Sequence, residues 1–400
     1  MNYIYFSINI FLLASILGFL YLWYRLFKLI ASAPTLILKK LNSPCSTDLT
    51  ILIPAYNEQN NIERCLTSVF NALENITINC EIIVVDDQSI DSTAELALAS
   101  AKKYQKKGIK FTLIQSNNRP EGELWVGKNW ACSCGMESVT TEWVLFLDAD
   151  VILQTHVINS ALEAAIENHV DLLSLAPRLV CESLGEWMVQ PIMASLLGLG
   201  FPIDAINDPH SKVSFAAGPF MLFRRSAYNS IGGHKSIPNE VVEDLVLASL
   251  IKSHGFKLCY LLGLDSIELQ MYSNFGQLWE GWCKNWFIGL NRSFSKSILA
   301  SFSVFFMFSF PWLLLPISIN IIFSTSSLYL STFTLTLYLT LLTIVLHFCF
   351  RLWLNRYFLI PLNFWWLMWI GGLIVFLIGP TSIYRTLTGR GWTWKGRSLS

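Results

Sequence analysis

No charged side chain occurs between residues 4 and 22 of this chain, and Trp23, Tyr24, Arg25 and Lys28 follow at once. An uncharged apolar stretch of that length is long enough to span a lipid bilayer, and the aromatic and basic residues behind it suit the lipid–water interface. A cleaved signal peptide fits less well, because the positive charge follows the apolar core instead of preceding it. Residues 298–323, 328–350 and 358–384 pass the same length test. Between the apolar ends, residues of about 50–284 have ordinary composition and suffice for one substantial domain. The chain as a whole is 53% hydrophobic and only 14% charged, with a mean hydropathy of +0.47. An integral, multi-pass membrane protein with one globular domain is expected. The expected parts are a transmembrane helix over residues 1–30, a globular domain over 45–265 and an amphipathic or interfacial segment over 266–297. Transmembrane helices over 298–384 and a basic cytoplasmic tail over 385–400 complete it.

Basic residues set the expected orientation. Arg25, Lys28, Lys39 and Lys40 follow the first span, and Lys284, Arg292 and Lys296 precede the second. Both flanks of the globular domain are positive, which places it in the cytoplasm. The tail also carries Arg385, Arg390, Lys395 and Arg397, although three spans would leave it outside. Either the last apolar stretch is re-entrant or interfacial, with a break near Gly371-Gly372, or another segment does not span. Nine cysteines without a repeating framework suit a reducing compartment. Cys132 and Cys134 lack the paired spacing of a zinc site. A formal net charge of zero points away from a nucleic-acid partner.

Inside the domain, the run Val144-Leu145-Phe146-Leu147-Asp148-Ala149-Asp150-Val151 is an apolar strand ending in two carboxylates. Continuous apolar runs mark buried parallel strands, and ligands of open α/β sheets bind at the strands' carboxyl ends. One acid there can face a sugar or ribose hydroxyl while the other holds a hard divalent cation on a diphosphate. Asp is also a common turn residue, so the pair alone does not decide. Leu49 to Ile53 form a second such strand, stopped by Pro54 and followed by Asn57 and Glu58. Glu81 to Val85 form a third, running into Asp86-Asp87-Gln88-Ser89-Ile90-Asp91, and Phe111 to Gln115 a fourth. Helical patterns over residues 61–72 and 93–105 alternate with them, the latter capped by Asp91 or Ser92. The alternation predicts βαβ units and a parallel sheet that delivers Glu58, Asp86, Asp87, Asp148 and Asp150 to one edge. No glycine-rich phosphate loop follows the first strand, so a divalent cation, Mg²⁺ or Mn²⁺, would carry the diphosphate charge.

On the ordered motifs Pro54-Ala55-Tyr56-Asn57-Glu58, Asp86-Asp87-Gln88-Ser89-Ile90-Asp91, Asp148-Ala149-Asp150 and Glu243-Asp244, the domain resembles the inverting family 2 glycosyltransferases of GT-A fold. The resemblance covers roughly residues 50–262. It implies an α/β, Rossmann-like and mostly parallel sheet with flanking helices, and a nucleotide-diphosphate sugar as donor. It implies that Glu58 and Asp87 hold the uridine part of the donor, with Pro54 and Tyr56 of the first motif also donor-binding. It also implies that Asp148 and Asp150 serve donor and metal, and that Asp244 is the catalytic base, with Glu243 on the acceptor side. An inverting transfer needs one such carboxylate to accept the acceptor's proton, and no second acid if a cation stabilises the leaving diphosphate. Glu243-Asp244 precedes an apolar stretch and so begins a helix, whose dipole would keep Asp244 ionised. Carboxylates are also ordinary in a first helical turn.

Lys128, in Trp125-Val126-Gly127-Lys128-Asn129-Trp130-Ala131, either neutralises a donor phosphate or is a solvated loop lysine. Gly218, in Ala216-Ala217-Gly218-Pro219-Phe220, lets a sugar ring approach the backbone. Residues 187–199 are too short to span and are read, with Phe201, as an interfacial helix. Processive members of the family carry Gln-x-x-Arg-Trp before the second span. Here Gln277 is followed by Glu280 and Gly281, which argues against polymerisation and leaves Trp279 or Trp282 to stack on the acceptor. Both also fit an interfacial aromatic belt. The stretch Glu280-Gly281-Trp282-Cys283-Lys284-Asn285 and the tail Trp394-Lys395-Gly396-Arg397 resemble bacterial carotenoid- and hopanoid-associated glycosyltransferases. That implies one hexose, from UDP-glucose, placed on a hydroxyl or carboxyl of a membrane lipid acceptor such as a carotenoid or other isoprenoid. Two alternatives stand beside it. A polyprenyl-phosphate sugar synthase would use Arg224 and Arg225 for the acceptor phosphate. A non-catalytic scaffold or transporter with a degenerate transferase domain would be expected to have lost one of Asp148, Asp150 or Asp244. A transporter also needs polar groups in its spans, where His347 is the only ionisable residue in the interior of the later ones.

Overall fold

The computed structural model describes residues 2–39, 47–73, 79–104, 109–324, 330–388, 393–394 and 397–398. Lys40, Gln105, Arg390, Lys395 and Gly396, which figure in the expectations above, lie outside them. The chain divides into two compact units. One comprises Ser32–Val180, Phe201–Met271 and Thr393–Ser400, and the other Met1–Ala31, Cys181–Gly200 and Tyr272–Trp392.

The first unit is built on an eight-stranded sheet. Its strands are β1 (Leu49–Ala55), β2 (Cys80–Asp86), β3 (Ile109–Gln115), β4 (Trp143–Leu147), β5 (Val151–Leu153), β6 (Leu172–Leu179), β7 (Phe220–Arg224) and β8 (Leu258–Leu269). They lie in the order β3-β2-β1-β4-β7-β6-β8-β5. The four strands expected from their apolar runs are parallel to one another, and β1 and β4 are buried along their whole length. The other half departs from a parallel sheet: β7 runs antiparallel to β4 and β6, and β5 antiparallel to β8. Reversal of β7 sets its first residue, Phe220, beside Leu147 at the end of β4. The connection entering β7 therefore reaches the same sheet edge as Asp148. Pro54 does not stop β1 as expected; the strand runs through it to Ala55. Pairing with β4 has already ended at Leu52–Phe146, so β1 tolerates a residue that lacks an N–H. Packing beneath the sheet comes from helices Ile62–Ala72 and Val157–Glu167, whose Leu66, Val69, Phe70, Ile158 and Leu162 join one core.

The second unit is helical. Four stretches are long and apolar enough to cross a membrane: Phe6–Ser32, Phe294–Asn320, Thr334–Phe358 and Leu362–Thr388. They match the four apolar stretches of the sequence. Their details correct two expectations. Helix Leu330–Phe358 extends past residue 350 and takes in Arg351, so His347 is not its only ionisable residue. Helix Met368–Thr388 is unbroken at Gly371-Gly372; the irregularity lies before it, in the 3₁₀ turn Leu362–Leu367. The glycines serve close approach instead. A Cβ on Gly371 would meet the carbonyl of Met188, and one on Gly372 would meet Ser309 Oγ. Finally, helix Leu184–Gly200 packs on Met368–Thr388 and buries Val189, Gln190, Ile192 and Met193. Leu184 and Leu197 of this helix are exposed, and Leu196 and Leu199 half-buried.

Gly371→Ala therefore forces a methyl group onto a backbone carbonyl that cannot rotate away. The variant is expected to lose about 1–3 kcal/mol, read as a lower thermal midpoint of the detergent-solubilised protein. Gly289→Ala, where a Cβ meets nothing within 4 Å, serves as the neutral control.

Candidate active site

Six segments converge on the carboxyl edge of the parallel strands, and polar side chains brace them. After β1, Asn57 adopts a left-handed conformation (φ 51°), which Asn tolerates better than most residues. Its N–H donates to Ser89 Oγ (2.9 Å), while its Oδ1 accepts from the Ile90 N–H (3.0 Å). The Glu58 N–H donates to Thr93 Oγ1 (2.7 Å) and that of Gln59 to Asp91 Oδ2 (3.2 Å). Asp91 also accepts from the Thr93 N–H at the start of helix Thr93–Tyr104 (3.0 Å). The capping role expected for Asp91 holds, with the bracing of the β1 loop added to it. Glu58 is buried, and its Oε2 accepts from Asn61 Nδ2 (2.9 Å). Asp87 is buried after β2 and takes Ser116 Oγ and Arg119 Nη2, each at 2.8 Å. Pro54 and Tyr56 are buried beneath these loops.

The second half of the edge is organised by an ammonium. Lys128 lies in the first turn of helix Gly127–Met136. Its Nζ is 2.7 Å from Asp148 Oδ1 and 2.7 Å from Glu243 Oε1. It is thus neither a loop lysine nor solvated. Asp244 follows Glu243 at the start of helix Glu243–Ser253. Its Oδ2 accepts from the Gly218 N–H (3.0 Å) and its Oδ1 from the Leu245 N–H (2.8 Å). Gly218 is the close-approach residue expected, but what approaches it is this cluster. A Cβ there would lie 3.1 Å from Asp244 Oδ2 and 3.3 Å from Lys128 Nζ. Ser174 on β6 exchanges hydrogen bonds with the N–H and carbonyl of Ala217, and the Asp148 N–H donates to the Pro219 carbonyl (3.2 Å). The loop before β7 is therefore pinned on both sides.

Burial and mutual charge govern the protonation of the cluster. Asp244 is pushed up to about 7, first by burial and next by the Glu243 carboxylate. This overturns the expectation that the helix dipole keeps it ionised: desolvation and a like charge outweigh a partial one. A carboxylate near neutrality can take and release a proton. Burial raises Glu243 too, but the Lys128 charge and hydrogen bond outweigh it and hold Glu243 below its usual range. Asp148 is raised by burial despite Lys128. Asp148 and Asp150 offer only oxygen, as a hard divalent cation requires. The Cys65 thiol is raised first by burial and then by the charges of Asp150, Glu58 and Asp148, a measure of how negative this pocket wall is. Among the described residues no group of three His, Cys, Asp or Glu forms a ready-made metal cluster. A cation here would complete its shell with diphosphate oxygens, as Mg²⁺ does.

Comparison with known proteins matches residues 50–232 to Glycosyl transferase family 2. This segment is a glycosyl transferase family 2 domain. Among characterised relatives, the 4,4'-diaponeurosporenoate glycosyltransferase of Staphylococcus haemolyticus is 26% identical over 64% of this chain and 65% of its own length. Its namesake from Staphylococcus aureus is 28% identical over 63% and 64%. The alignments thus span just under two thirds of those proteins. Among solved structures, the mannosyltransferase PcManGT from Pyrobaculum calidifontis, in complex with GDP-Man and Mn²⁺, superposes over 98% of this chain and 99% of its own. Its TM-score is 0.50 at 15% identity, a likeness of fold: the sheet is of the GT-A type.

The family 2 domain ends, by that match, before Glu243 and Asp244, yet both reach its edge through the loop that Asn129 holds. Asn129 Nδ2 donates to the carbonyls of Ile237 (2.8 Å) and Glu240 (2.9 Å). Its place beside Lys128 was the only hint in the sequence. Arg119 on Asp87 also went unforeseen, because it lies in an irregular connection with no period to read. His234 is a third such group, a fully buried imidazole against Tyr228 Oη (2.7 Å), with burial lowering its pKa to about 3. Arg224 and Arg225, by contrast, leave the site. Because β7 is antiparallel, Arg224 pairs with Trp143 at the opposite edge and meets Glu142 (3.0 Å) and Asp171 (3.4 Å). Arg225 is bound to the Thr141 carbonyl. The polyprenyl-phosphate reading loses the groups it relied on. Trp279 and Trp282 belong to helix Phe275–Gly289 of the other unit. Trp282 is buried there, its indole N–H donating to Gln190 Oε1 (2.9 Å), and Gln277 caps that helix with Asn274.

Lys128→Met removes the only ammonium that the described residues place between Asp148 and Glu243. A loss of about 3 kcal/mol in unfolding free energy at pH 7 is expected, measured by urea titration. Part of it should return at pH 5, where the released carboxylates can take protons.

Proposed function

We propose that the chain is an inverting, metal-dependent glycosyltransferase. It moves one hexose, with UDP-glucose as donor, to a hydroxyl or carboxyl of a membrane lipid such as a carotenoid or other isoprenoid. The observation that carries this reading is Asp244, a half-buried carboxylate with its pKa near neutrality, held by the Gly218 N–H at the edge where Asp148 and Asp150 emerge. Glu58 and Asp87, braced at the β1 and β2 loops, hold the nucleoside. A divalent cation at Asp148 and Asp150 would supply charge neutralisation for the diphosphate, in keeping with the Mn²⁺ and GDP-Man of the PcManGT complex. Asp244 accepts the proton of the acceptor alcohol as its oxygen bonds to the sugar carbon, and the bond to the diphosphate breaks with its electron pair leaving on that group. Lys128, which contacts Glu243 and Asp148, would be placed to balance Glu243 and a donor phosphate.

The acceptor reading draws on the names of the staphylococcal relatives and on the four helices long enough to cross a membrane. Holding the catalyst in the bilayer suits an acceptor whose transfer to water costs about 0.8 kcal/mol per CH₂. The basic flanks of the domain favour a cytoplasmic catalytic side, where nucleotide sugars are made.

Membranes bearing the protein, given UDP-glucose, Mn²⁺ and extracted lipids of the host, should yield a lipid heavier by one hexose in mass spectrometry. EDTA should abolish the product and Mn²⁺ restore it. With an alcohol acceptor, Asp244→Asn should lower kcat by about 10²–10⁴-fold. With a carboxylate acceptor, already ionised, the loss should be far smaller. Because the base must be deprotonated and its pKa is raised to about 7, the alcohol reaction should fall roughly 100-fold from its plateau by pH 5. Donor hydrolysis without any lipid product would keep the donor site and sink the acceptor assignment.

A further inference from the structure

Helix Leu330–Phe358 carries a buried polar stripe of Thr336, Thr340, Thr343, His347 and Arg351. Spacings of three and four residues put all five on one face. The first four are satisfied within the helical unit. Thr336 donates to Asn9 Oδ1 (2.8 Å), and Thr340 and Thr343 donate to the carbonyls of Thr336 and Leu339. His347 lies between the Trp312 indole N–H and the Met307 carbonyl, each at 3.0 Å. Arg351 differs. Its Nε donates to the Pro361 carbonyl (2.9 Å), but Nη1 and Nη2 are buried with no acceptor among the described residues.

Glu186, in the same unit, is a second buried ionisable residue with an unused polar atom. It is fully buried, and its Oε2 accepts from the N–H groups of Glu182 and Ser183 and from Ser183 Oγ, each at 3.0 Å. This is a capping-box arrangement at the start of helix Leu184–Gly200. Its Oε1 is buried with no donor among the described residues. Pro361 precedes Leu362–Leu367, whose Phe364 stacks on Trp187 with ring centroids 6.1 Å apart. The thiol of Cys181 senses both, pushed up to about 12 by burial and then by Glu186, and drawn down by Arg351.

A guanidinium does not deprotonate in a protein. Buried with no ion pair among the described residues, it carries a penalty that helix packing does not relieve. Water could accept from the four N–H groups of the two η nitrogens but would leave the charge uncompensated. Two adjacent η nitrogens form a planar fork that matches the paired oxygens of a carboxylate or phosphate. We propose that Arg351 forms a binding site for such an oxyanion, whose oxygens accept from both η nitrogens. Leu352 and Leu359, exposed apolar residues beside Arg351 and at the end of its helix, offer hydrocarbon contact to a ligand that carries a lipid chain. The site stands apart from the transferase chemistry and does not depend on it.

The test uses the full chain, purified in a neutral detergent and stripped of lipid. Thermal unfolding is followed with dioleoyl phosphatidic acid, oleate, inorganic phosphate or uncharged dioleoylglycerol. Phosphatidic acid or oleate should raise the midpoint by about 3–5 °C at saturation, with dioleoylglycerol inert. Arg351→Gln should weaken the response at least tenfold, and Arg351→Lys should retain part of it. Inorganic phosphate alone giving the full shift would support the oxyanion and identify its source as free anion. An equal response from dioleoylglycerol, an unchanged response in Arg351→Gln, or no shift with any anion would overturn the proposal. Should Arg351→Gln fail to fold, native mass spectrometry of the wild-type chain decides: one retained acidic ligand per chain is expected, and none overturns it.

Discussion

The edge of this sheet depends on one cation of its own. Asp148, Glu243 and Asp244 converge within reach of each other, and one buried and two half-buried carboxylates would repel one another and lose hydration together. The Lys128 ammonium, 2.7 Å from two of them, makes the arrangement tolerable. It holds Glu243 ionised and leaves the third carboxylate, Asp244, near neutrality. The difference between two neighbours on one helical turn is therefore a matter of which one the lysine touches. Placement of the lysine follows in turn from the Gly127–Met136 helix and from Asn129, which ties that helix to the loop preceding Glu243.

Reversal of one strand accounts for much of the rest. With β7 antiparallel to β4, the small residues Ala216, Ala217 and Gly218 arrive at the edge where Asp148 leaves it, and Arg224 is carried to the other side. A Cβ at position 218 would sit tightly against Asp244 and Lys128. Glycine there is favoured by crowding and not by backbone conformation. In the helical unit the same economy appears at Gly371, Gly372 and Gly379, where missing side chains let helices touch.

The proposed division of labour matches this anatomy. Loops after β1 and β2, cross-braced by Asn57, Asp91 and Thr93, are suited to hold a nucleoside rigidly. The Asp148–Asp150 turn is suited to a diphosphate and its cation, and the Asp244 turn to the acceptor. Each sits on a different segment, so substrate range can vary in one without disturbing the others.

Periodicity and local chemistry determined a good part of this protein. Uninterrupted apolar runs declared β1 to β4 and the four long helices, because a fully buried strand and a membrane-length helix leave no other composition possible. The acids at the strand ends, and the helix starts at Asp91 and Glu243, were legible from turn and capping preferences. Strands β5 to β8 were not, since they are short or depend on partners distant in the chain. Nor was the pairing of Lys128 with Asp148 and Glu243, separated from it by a long stretch of sequence. Arg119 on Asp87, the exile of Arg224 and the two unused donors of Arg351 belong with it. Most telling is Asp244: its sequence position suggested an ionised residue favoured by a helix dipole, whereas burial beside Glu243 pushes it up to about 7. Charge state is set by desolvation and by neighbours in space, and neither exists until the chain has folded.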